Sequence, residues 1–165
     1  MDSRSEAALA TVDPALANKV RAAADQLATA GTFLLVVSGL RTAAEQNALY
    51  AQGRTTPGHI VTNAKAGYSM HNYGLAVDVV PYISGQSGQL NWSPGTPQFK
   101  AMVAALKAQD LIWGGDWKSL PDNDHFQMPG LPVTPTDAMR ADYGTGDQAT
   151  LATIWDNSAN GKYAA

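Results

Sequence analysis

The segment Ser69–Val80, SMHNYGLAVDVV, carries a histidine and an aspartate around a glycine at the start of an apolar run. His71 precedes Asp78 by seven positions, and Gly74 between them permits a sharp turn. An imidazole or a carboxylate that enters a buried strand is costly unless a partner compensates it. We therefore expect these two side chains to be paired with a cation or with several hydrogen-bond donors.

A second polar side chain, His125, lies in the segment PDNDHFQM at the head of another apolar stretch. Two imidazoles and one carboxylate form a common ligand set of catalytic zinc, which leaves the fourth position to water. The pattern predicts one zinc ion per chain, bound by His71, Asp78 and His125. The competing interpretation is that each histidine is a surface residue or a satisfied core residue. His59 lies in a loop without an acidic neighbour, and we assign it no role.

Two carboxylates closely precede His125, and one of them, Asp122, is the candidate for a general base. Asp122 lies three positions earlier and can turn back toward a metal, where it would take a proton from the attacking water. Asp124 is adjacent to His125 and in an extended chain points to the opposite face. The alternative is that Asp122 is a turn residue after Pro121, and the spacing by itself favours that alternative.

Four further residues are candidates for a supporting role. Arg41 follows the apolar run FLLVVSGL, where it either stabilises an oxyanion or a substrate carboxylate or is a surface charge. Trp113 and Trp117 flank the sequence GGD and either line a groove or belong to the core. Ser69 is not a nucleophile elbow, because the pattern G-x-S-x-G requires glycine where His71 stands. We expect Ser69 to hydrogen-bond near a ligand instead.

Composition limits the classes of protein to which the chain can belong. The 165 residues are 45% hydrophobic and 15% charged, which suits one globular domain with a sizeable core. The absence of cysteine excludes disulfides, a cysteine nucleophile and thiolate-ligated zinc. The net charge is −3 and the basic residues are scattered, so no nucleic-acid partner is expected. No apolar run is long enough to span a membrane, and no stable membrane association is expected.

Capping residues and apolar spacing predict an α+β fold, in which helices surround a small antiparallel sheet. The clearest helix starts are Asp13-Pro14, the capping box TAAE at Thr42 and Thr96-Pro97. The predicted helices are 14–31, 42–53, 97–109, 134–140 and 147–155, and the predicted strands are 32–38, 75–82, 112–113 and 125–128. The N-terminus lacks the basic and apolar regions of a secretion signal.

Five positions match the pattern S-x-H-x-x-G-x-A-x-D in full: Ser69, His71, Gly74, Ala76 and Asp78. The chain thereby resembles the M15 family of zinc DD- and LD-peptidases. The resemblance implies a DD-peptidase/hedgehog-like zinc fold, with zinc bound by the histidine and aspartate of the motif and by a later histidine. In this sequence these ligands fall on His71, Asp78 and His125.

The spacing Asp122-x-x-His125 resembles the L-alanyl-D-glutamate endopeptidase branch of that family, found in phage endolysins and bacterial autolysins. The segments SGLRTAAEQNALYAQGR and GHIVTNAKAGYSMHNYG also resemble this branch, whereas the dipeptidase and carboxypeptidase branches carry Glu-x-x-His. The resemblance implies that Asp122 is the base and that Arg41 assists binding or oxyanion stabilisation. Gln46, like Ser69 and Trp113, is expected near the ligands or the substrate groove.

The function that follows is a monomeric zinc endopeptidase, which cleaves the L-alanyl-D-glutamate bond of peptidoglycan stem peptides. Residues 1–165 are expected to form one peptidase domain, with a core at about 9–128, closing helices at 134–157 and no separate wall-binding domain. A phage endolysin fits the lack of a signal; it would stay in the host cytoplasm until its release to the periplasm or cell wall. Two alternatives stay open: a D,D-carboxypeptidase on the same fold, and a non-catalytic, zinc-containing wall-binding module.

Overall fold

The structure, a computed structural model, describes residues 1–144 and 146–164. The chain divides into two compact units, one formed by Met1–Gly39 with Ala76–Pro129 and the other by Leu40–Leu75 with Gly130–Ala165. The helices of the described part are α1 Ser3–Leu9, α2 Pro14–Thr29, α3 Ala43–Ala51, α4 Pro97–Lys107, α5 Asp137–Tyr143 and α6 Gln148–Ala159. Its strands are β1 Leu34–Ser38, β2 Ala76–Pro81, β3 Ile112–Trp113 and β4 His125–Gln127. These elements confirm the predicted α+β class.

The first unit contains the sheet, whose strand order is β1-β2-β4-β3 with antiparallel neighbours throughout. The register sets Asp78 of β2 directly opposite His125 of β4. On its other side Asp78 is opposite Ser38 of β1, next to an irregularity in the β1 register. Directly opposed residues project from the same face of a sheet. The antiparallel pairing therefore brings the carboxylate and the imidazole to one face.

The core of the first unit lies on the opposite face of the sheet. Val77 and Val79, which flank Asp78, are fully buried in one apolar cluster with Phe126, the neighbour of His125. Helices α2 and α4 complete this cluster through Leu16, Val20, Leu27, Phe99, Met102 and Leu106. Because side chains alternate along a strand, burial of the valines orients Asp78 away from the core.

The second unit contains α3, a short 3₁₀ turn at Met70–Tyr73, α5 and α6. The capping box predicted at Thr42 is confirmed, since both of its hydrogen bonds are formed. Gly74, at φ 63°, ends the 3₁₀ turn in the left-handed conformation that the sequence pattern requires. Helix α6 supports this turn, since the Nε1 of Trp155 donates a hydrogen bond to the carbonyl of Tyr73 at 2.8 Å.

Local differences from the predicted elements have local causes. Helix α1 was not predicted; it begins after Asp2, whose side chain accepts a hydrogen bond from the backbone N–H of Ser5. Helix α5 begins at Asp137 rather than at residue 134, because residue 134 precedes Pro135 and is disfavoured in a helix. Helix α6 runs past residue 155 to Ala159. Among the described residues, no helix has both the length and the apolar character needed to cross a membrane.

Candidate metal centre and active site

Asp78 and His125 form a close pair on the sheet of the first unit. The Nδ1 atom of His125 lies 3.6 Å from Oδ1 of Asp78, and only 7% and 14% of the two side chains are exposed. Burial lowers the pKa of His125, but the hydrogen bond and negative charge of Asp78 outweigh it, and the net pKa is raised. A carboxylate in this surrounding favours a positive charge beside it. The pair is therefore suited to hold a cation.

Gln127 contacts the other nitrogen of the same imidazole. Its Oε1 lies 3.2 Å from Nε2 of His125, and its side chain is fully buried. The two residues are separated by one position on β4 and therefore share a face. When Oε1 of Gln127 accepts a hydrogen bond from a protonated Nε2, the Nδ1 atom that faces Asp78 keeps its lone pair. Gln127 thus fixes the tautomer in which Nδ1 of His125 can be a metal ligand.

The main chain around His71 is held by hydrogen bonds within the second unit. The carbonyl of His71 accepts from the backbone N–H of Arg41 at 3.0 Å, and the side chain of Asn72 donates to the carbonyl of Arg41 at 2.7 Å. The Oγ of Ser69 accepts from the backbone N–H of His71 at 3.4 Å. His71 itself is only 2% exposed. Ser69 therefore caps the turn that carries the histidine.

The ligand atoms of the three predicted metal ligands lie close together. His71, Asp78 and His125 each offer one ligand atom, and these atoms all lie within 4.8 Å of one another. The set contains two imidazoles and a carboxylate, the donor chemistry of a catalytic zinc site with three protein ligands. The residues present therefore fit zinc.

Asp122 is exposed and is anchored through its main chain beside His125. Its backbone N–H donates to the carbonyl of Gly114 at 3.1 Å. A Cβ atom at Gly114 would lie 2.6 Å from the carbonyl oxygen of Asp122 and 3.1 Å from Cβ of His125. Glycine is required here because any side chain would collide with the Asp122 backbone. The negative charge of Asp122 also contributes to the raised pKa of His125.

The expectation that Asp124 points to the opposite face is wrong. Strand β4 begins only at His125, and Asp124 lies in a bend, so strand alternation does not apply to it. Burial, the charge of Asp78 and a hydrogen bond with the Asp122 side chain raise the pKa of Asp124 to about 7. The backbone carbonyl of Asp124 accepts from Val79 at 2.8 Å. Asp124 thus belongs to the same acidic group as Asp78 and Asp122.

The two tryptophans that flank GGD differ in their contacts. Trp113 donates from Nε1 to the carbonyl of Asn123 at 2.7 Å and packs against the core cluster. The Trp117 ring lies against His125, with centroids 5.0 Å apart and planes tilted by 52°. Trp117 Nε1 is buried and has no hydrogen-bond partner in the described structure. Of the two, Trp117 is the one in contact with a predicted ligand.

Arg41 and Gln46 interact in the second unit. Arg41 donates from Nη1 to Oε1 of Gln46 at 3.1 Å, and Nε2 of Gln46 donates to the carbonyl of Ala64 at 2.8 Å. Gln46 is fully buried, so its amide is held in a fixed orientation. A buried amide that joins the guanidinium to a loop carbonyl limits the positions that Arg41 can occupy.

Sequence reasoning did not single out Gln127 or Asn72, and it left Trp117 between a groove and the core. Gln127 carried a signal, because a polar residue two positions after a candidate ligand shares its strand face. Asn72 and Trp117 carried none that local spacing reveals. Asn72 matters because its side chain donates a hydrogen bond to Arg41, which is distant in sequence. Trp117 matters because its buried Nε1 has no hydrogen-bond partner in the described structure.

Comparison with known proteins identifies the family. A peptidase M15 family model described as D-alanyl-D-alanine carboxypeptidase matches residues 62–128. The chain is 37% identical over 119 residues to the peptidoglycan L-alanyl-D-glutamate endopeptidase CwlK of Bacillus subtilis (strain 168), covering 68% of each chain. It is 28% identical over 67 residues to the L-alanyl-D-glutamate peptidase of Listeria phage A118, covering 40% of this chain and 24% of that protein.

A solved structure agrees with these sequence relatives. The structure of the L-Ala D-Glu endopeptidase ChiX of Serratia marcescens matches with a TM-score of 0.53 and 26% identity, over 78% of this chain and 88% of that one. The family model covers the segment from residue 62 to residue 128, which includes the histidine–aspartate motif and His125. The sequence relative from Bacillus subtilis extends the similarity over most of the chain. The chain belongs to the M15 family of peptidases.

Proposed function

We propose that the chain is a zinc-dependent endopeptidase that cleaves the L-alanyl-D-glutamate bond of peptidoglycan stem peptides. The observation that carries this proposal is the group of ligand atoms from His71, Asp78 and His125, with the carboxylate of Asp122 beside it. Relatives from Bacillus subtilis and Serratia marcescens are named for this bond, and they support the choice of substrate.

His71, Asp78 and His125 would hold the zinc ion. When bound, zinc polarises a scissile carbonyl and lowers the pKa of the attacking water. Asp78 would neutralise part of the added charge, and Gln127 would keep the Nδ1 lone pair of His125 available. Burial of these side chains would limit the competition of bulk water for the ligands.

Asp122 would act as the general base and then as the general acid. Its carboxylate is exposed, so it is accessible to an attacking water and to a substrate. It would accept the proton of that water during attack and deliver it to the amine that leaves. Its main chain is fixed through Gly114, which limits the positions of the carboxylate.

Arg41 would bind a substrate carboxylate or stabilise the oxyanion that develops on the scissile carbonyl. The support is its charge and its orientation by the buried amide of Gln46. Ser69 would contribute indirectly, because it caps the turn that carries His71. Trp113 would hold the segment before His125 in place, because its Nε1 donates a hydrogen bond to the carbonyl of Asn123.

We also propose that the protein acts on the cell wall as a monomeric lytic enzyme of a phage. On this proposal one peptidase domain suffices for cleavage, and the protein stays in the cytoplasm of the infected host until its release to the periplasm or wall. The support is the match to the enzyme of Listeria phage A118, which spans about a quarter of that protein. Lysis of host cells on coexpression with a pore-forming protein, but not without it, would test this role.

A D,D-carboxypeptidase is the second candidate, because the matching family model is described by that activity. Digestion of purified peptidoglycan followed by mass spectrometry separates the two. The proposed endopeptidase creates peptides with a new N-terminal D-glutamate, whereas a carboxypeptidase releases terminal D-alanine.

The digestion also tests whether zinc and Asp122 are catalytic. Activity should disappear with a chelator, return with zinc and resist serine-reactive reagents. Metal analysis should give about one zinc per chain, lost in the His71→Ala variant. Intact peptidoglycan with fully zinc-loaded protein would overturn the endopeptidase proposal in favour of a non-catalytic wall-binding module.

A further inference from the structure

We propose that the indole N–H of Trp117 is a substrate-binding donor, which forms a hydrogen bond with an oxygen of the bound stem peptide. This inference rests on the proposed function, since it assigns one contact in the same active site. It gives a specific contact to a residue that the sequence pattern left between a groove and the core.

The evidence comes from comparing the indole N–H groups of the four tryptophans of the chain. Trp113 and Trp155 donate from Nε1 to main-chain carbonyls, at 2.7 Å and 2.8 Å. Trp92 is 56% exposed, so water can accept a hydrogen bond from its indole N–H. Trp117 Nε1 is buried and has no hydrogen-bond partner. Among the described residues, no other buried side-chain nitrogen or oxygen lacks one. Such a group costs free energy in the folded protein and requires an explanation.

The position of Trp117 explains why this donor would serve a substrate. Its ring packs against the His125 imidazole, which also contacts Asp78 and Gln127. Its backbone N–H donates to the carbonyl of Gly114 at 3.1 Å, and the same carbonyl accepts from Asp122. Trp117 is therefore fixed beside both a candidate ligand and the candidate base.

The residues around Trp117 limit the hydrogen bonds that its indole N–H can form. A Cβ at Gly115 would lie 2.2 Å from the ring of Trp113, so the short GGD turn is tightly packed on that side. The carboxylates and carbonyls of the described residues nearby leave Nε1 of Trp117 without a bond. The described residues supply no acceptor, whereas a peptide substrate supplies carbonyl and carboxylate oxygens.

The variant Trp117→Phe tests the donor while it keeps an aromatic ring against His125. We expect zinc content and melting temperature near those of the wild type, because no protein hydrogen bond is lost. Cleavage of a synthetic L-Ala-D-Glu peptide should lose kcat/KM by about 3- to 10-fold for a carbonyl acceptor and by about 10- to 100-fold for a carboxylate. Trp113→Phe is the structural counterpart, since it removes an existing bond and should lower the melting temperature.

Substrate variants distinguish the two sources of the oxygen. When the free carboxylate of D-glutamate is replaced by an amide, the effect of Trp117→Phe should fall to about the 3- to 10-fold of a neutral carbonyl if that carboxylate is the acceptor. It should be the same on both peptides if the acceptor is a main-chain carbonyl. Trp92→Phe is the matched control and should leave kcat/KM unchanged on both peptides, because Trp92 lies on an exposed loop.

An NMR measurement detects the hydrogen bond without relying on turnover. In zinc-loaded Asp122→Asn protein, added intact peptide should move the Trp117 indole proton downfield more than the other three indole protons. Wild-type kcat/KM in Trp117→Phe, or an unmoved Trp117 signal at saturating peptide, overturns the assignment while the endopeptidase proposal stands. Failure of the wild type to cleave the L-Ala-D-Glu bond overturns both.

Discussion

Gln127 lies on the same face of β4 as His125, with its Oε1 atom 3.2 Å from the imidazole Nε2. The amide is fully buried, and it contacts the nitrogen on the side of the ring away from Asp78. A partner of this kind fixes which ring nitrogen carries the proton, and it thereby prepares the other for a metal.

The variant Gln127→Leu should weaken zinc binding by about 10- to 100-fold, because the imidazole loses the partner that fixes its tautomer. Competition with a chromophoric chelator measures this change. Gln127→Glu keeps an acceptor at the same place and should retain the affinity. Equal zinc affinity in Gln127→Leu and the wild type would remove Gln127 from the metal centre.

Asp122→Asn should lower hydrolysis by about 10²- to 10⁴-fold, the usual contribution of a general acid–base residue. Zinc content and melting temperature should stay near wild type, because the exposed side chain is not expected to be a ligand. Turnover and metal analysis on the same preparation measure both effects.

The control for Asp122 is Asp116→Asn rather than a change at Asp124. Asp124 lies in the acidic group with Asp78 and Asp122, so its loss is expected to disturb the site itself. Asp116 is on the same segment and pairs with Lys107 at 2.7 Å on the surface. Loss of zinc from Asp122→Asn would instead make Asp122 a ligand.

Arg41→Ala should lower kcat by about 10²- to 10³-fold, the effect seen when one donor to an oxyanion is removed. Stopped-assay rates at saturating peptide measure kcat, and thermal unfolding verifies the fold. Arg54→Ala is a matched arginine control, because Arg54 donates hydrogen bonds to the carbonyls of Tyr50 and Thr62 and to the side chain of Asn63. It should lower the melting temperature and retain kcat. Wild-type kcat in Arg41→Ala would assign Arg41 to the surface.

Stability should fall at alkaline pH because of Tyr163 in the second unit. Burial and the hydrogen bond to Asp142, at 2.6 Å, raise the pKa of Tyr163 to about 12. The unfolded chain loses this proton near pH 10, so the contribution is complete below that pH and is lost as pH rises toward 12.

Urea unfolding between pH 9 and pH 11.5 measures that loss. Between the two pKa values, Tyr163 should contribute a slope of about 1.4 kcal/mol per pH unit. Tyr163→Phe has no proton to lose and should flatten the wild-type slope by about that amount. An identical slope in the two proteins would contradict the assignment to Tyr163.

The sequence by itself determined the elements whose signals are local. Asp13, Thr42 and Thr96 cap helices because each side chain reaches a backbone N–H two or three positions later. Gly74 adopts the left-handed conformation that ends the turn after His71. The types of the proposed ligands follow as well, because few side chains bind zinc and cysteine is absent.

Only the tertiary structure decided which of these residues contact one another and from which side. The strand register sets Asp78 opposite His125, and this pairing of distant strands is not encoded within a few residues. The bend before β4 leaves Asp124 in a hydrogen bond with Asp122, against the expected alternation. Trp113 and Trp117 have the same indole, yet one donates to a carbonyl and the other to nothing. That difference arises because hydrogen-bond partners are fixed by packing, which local spacing does not specify.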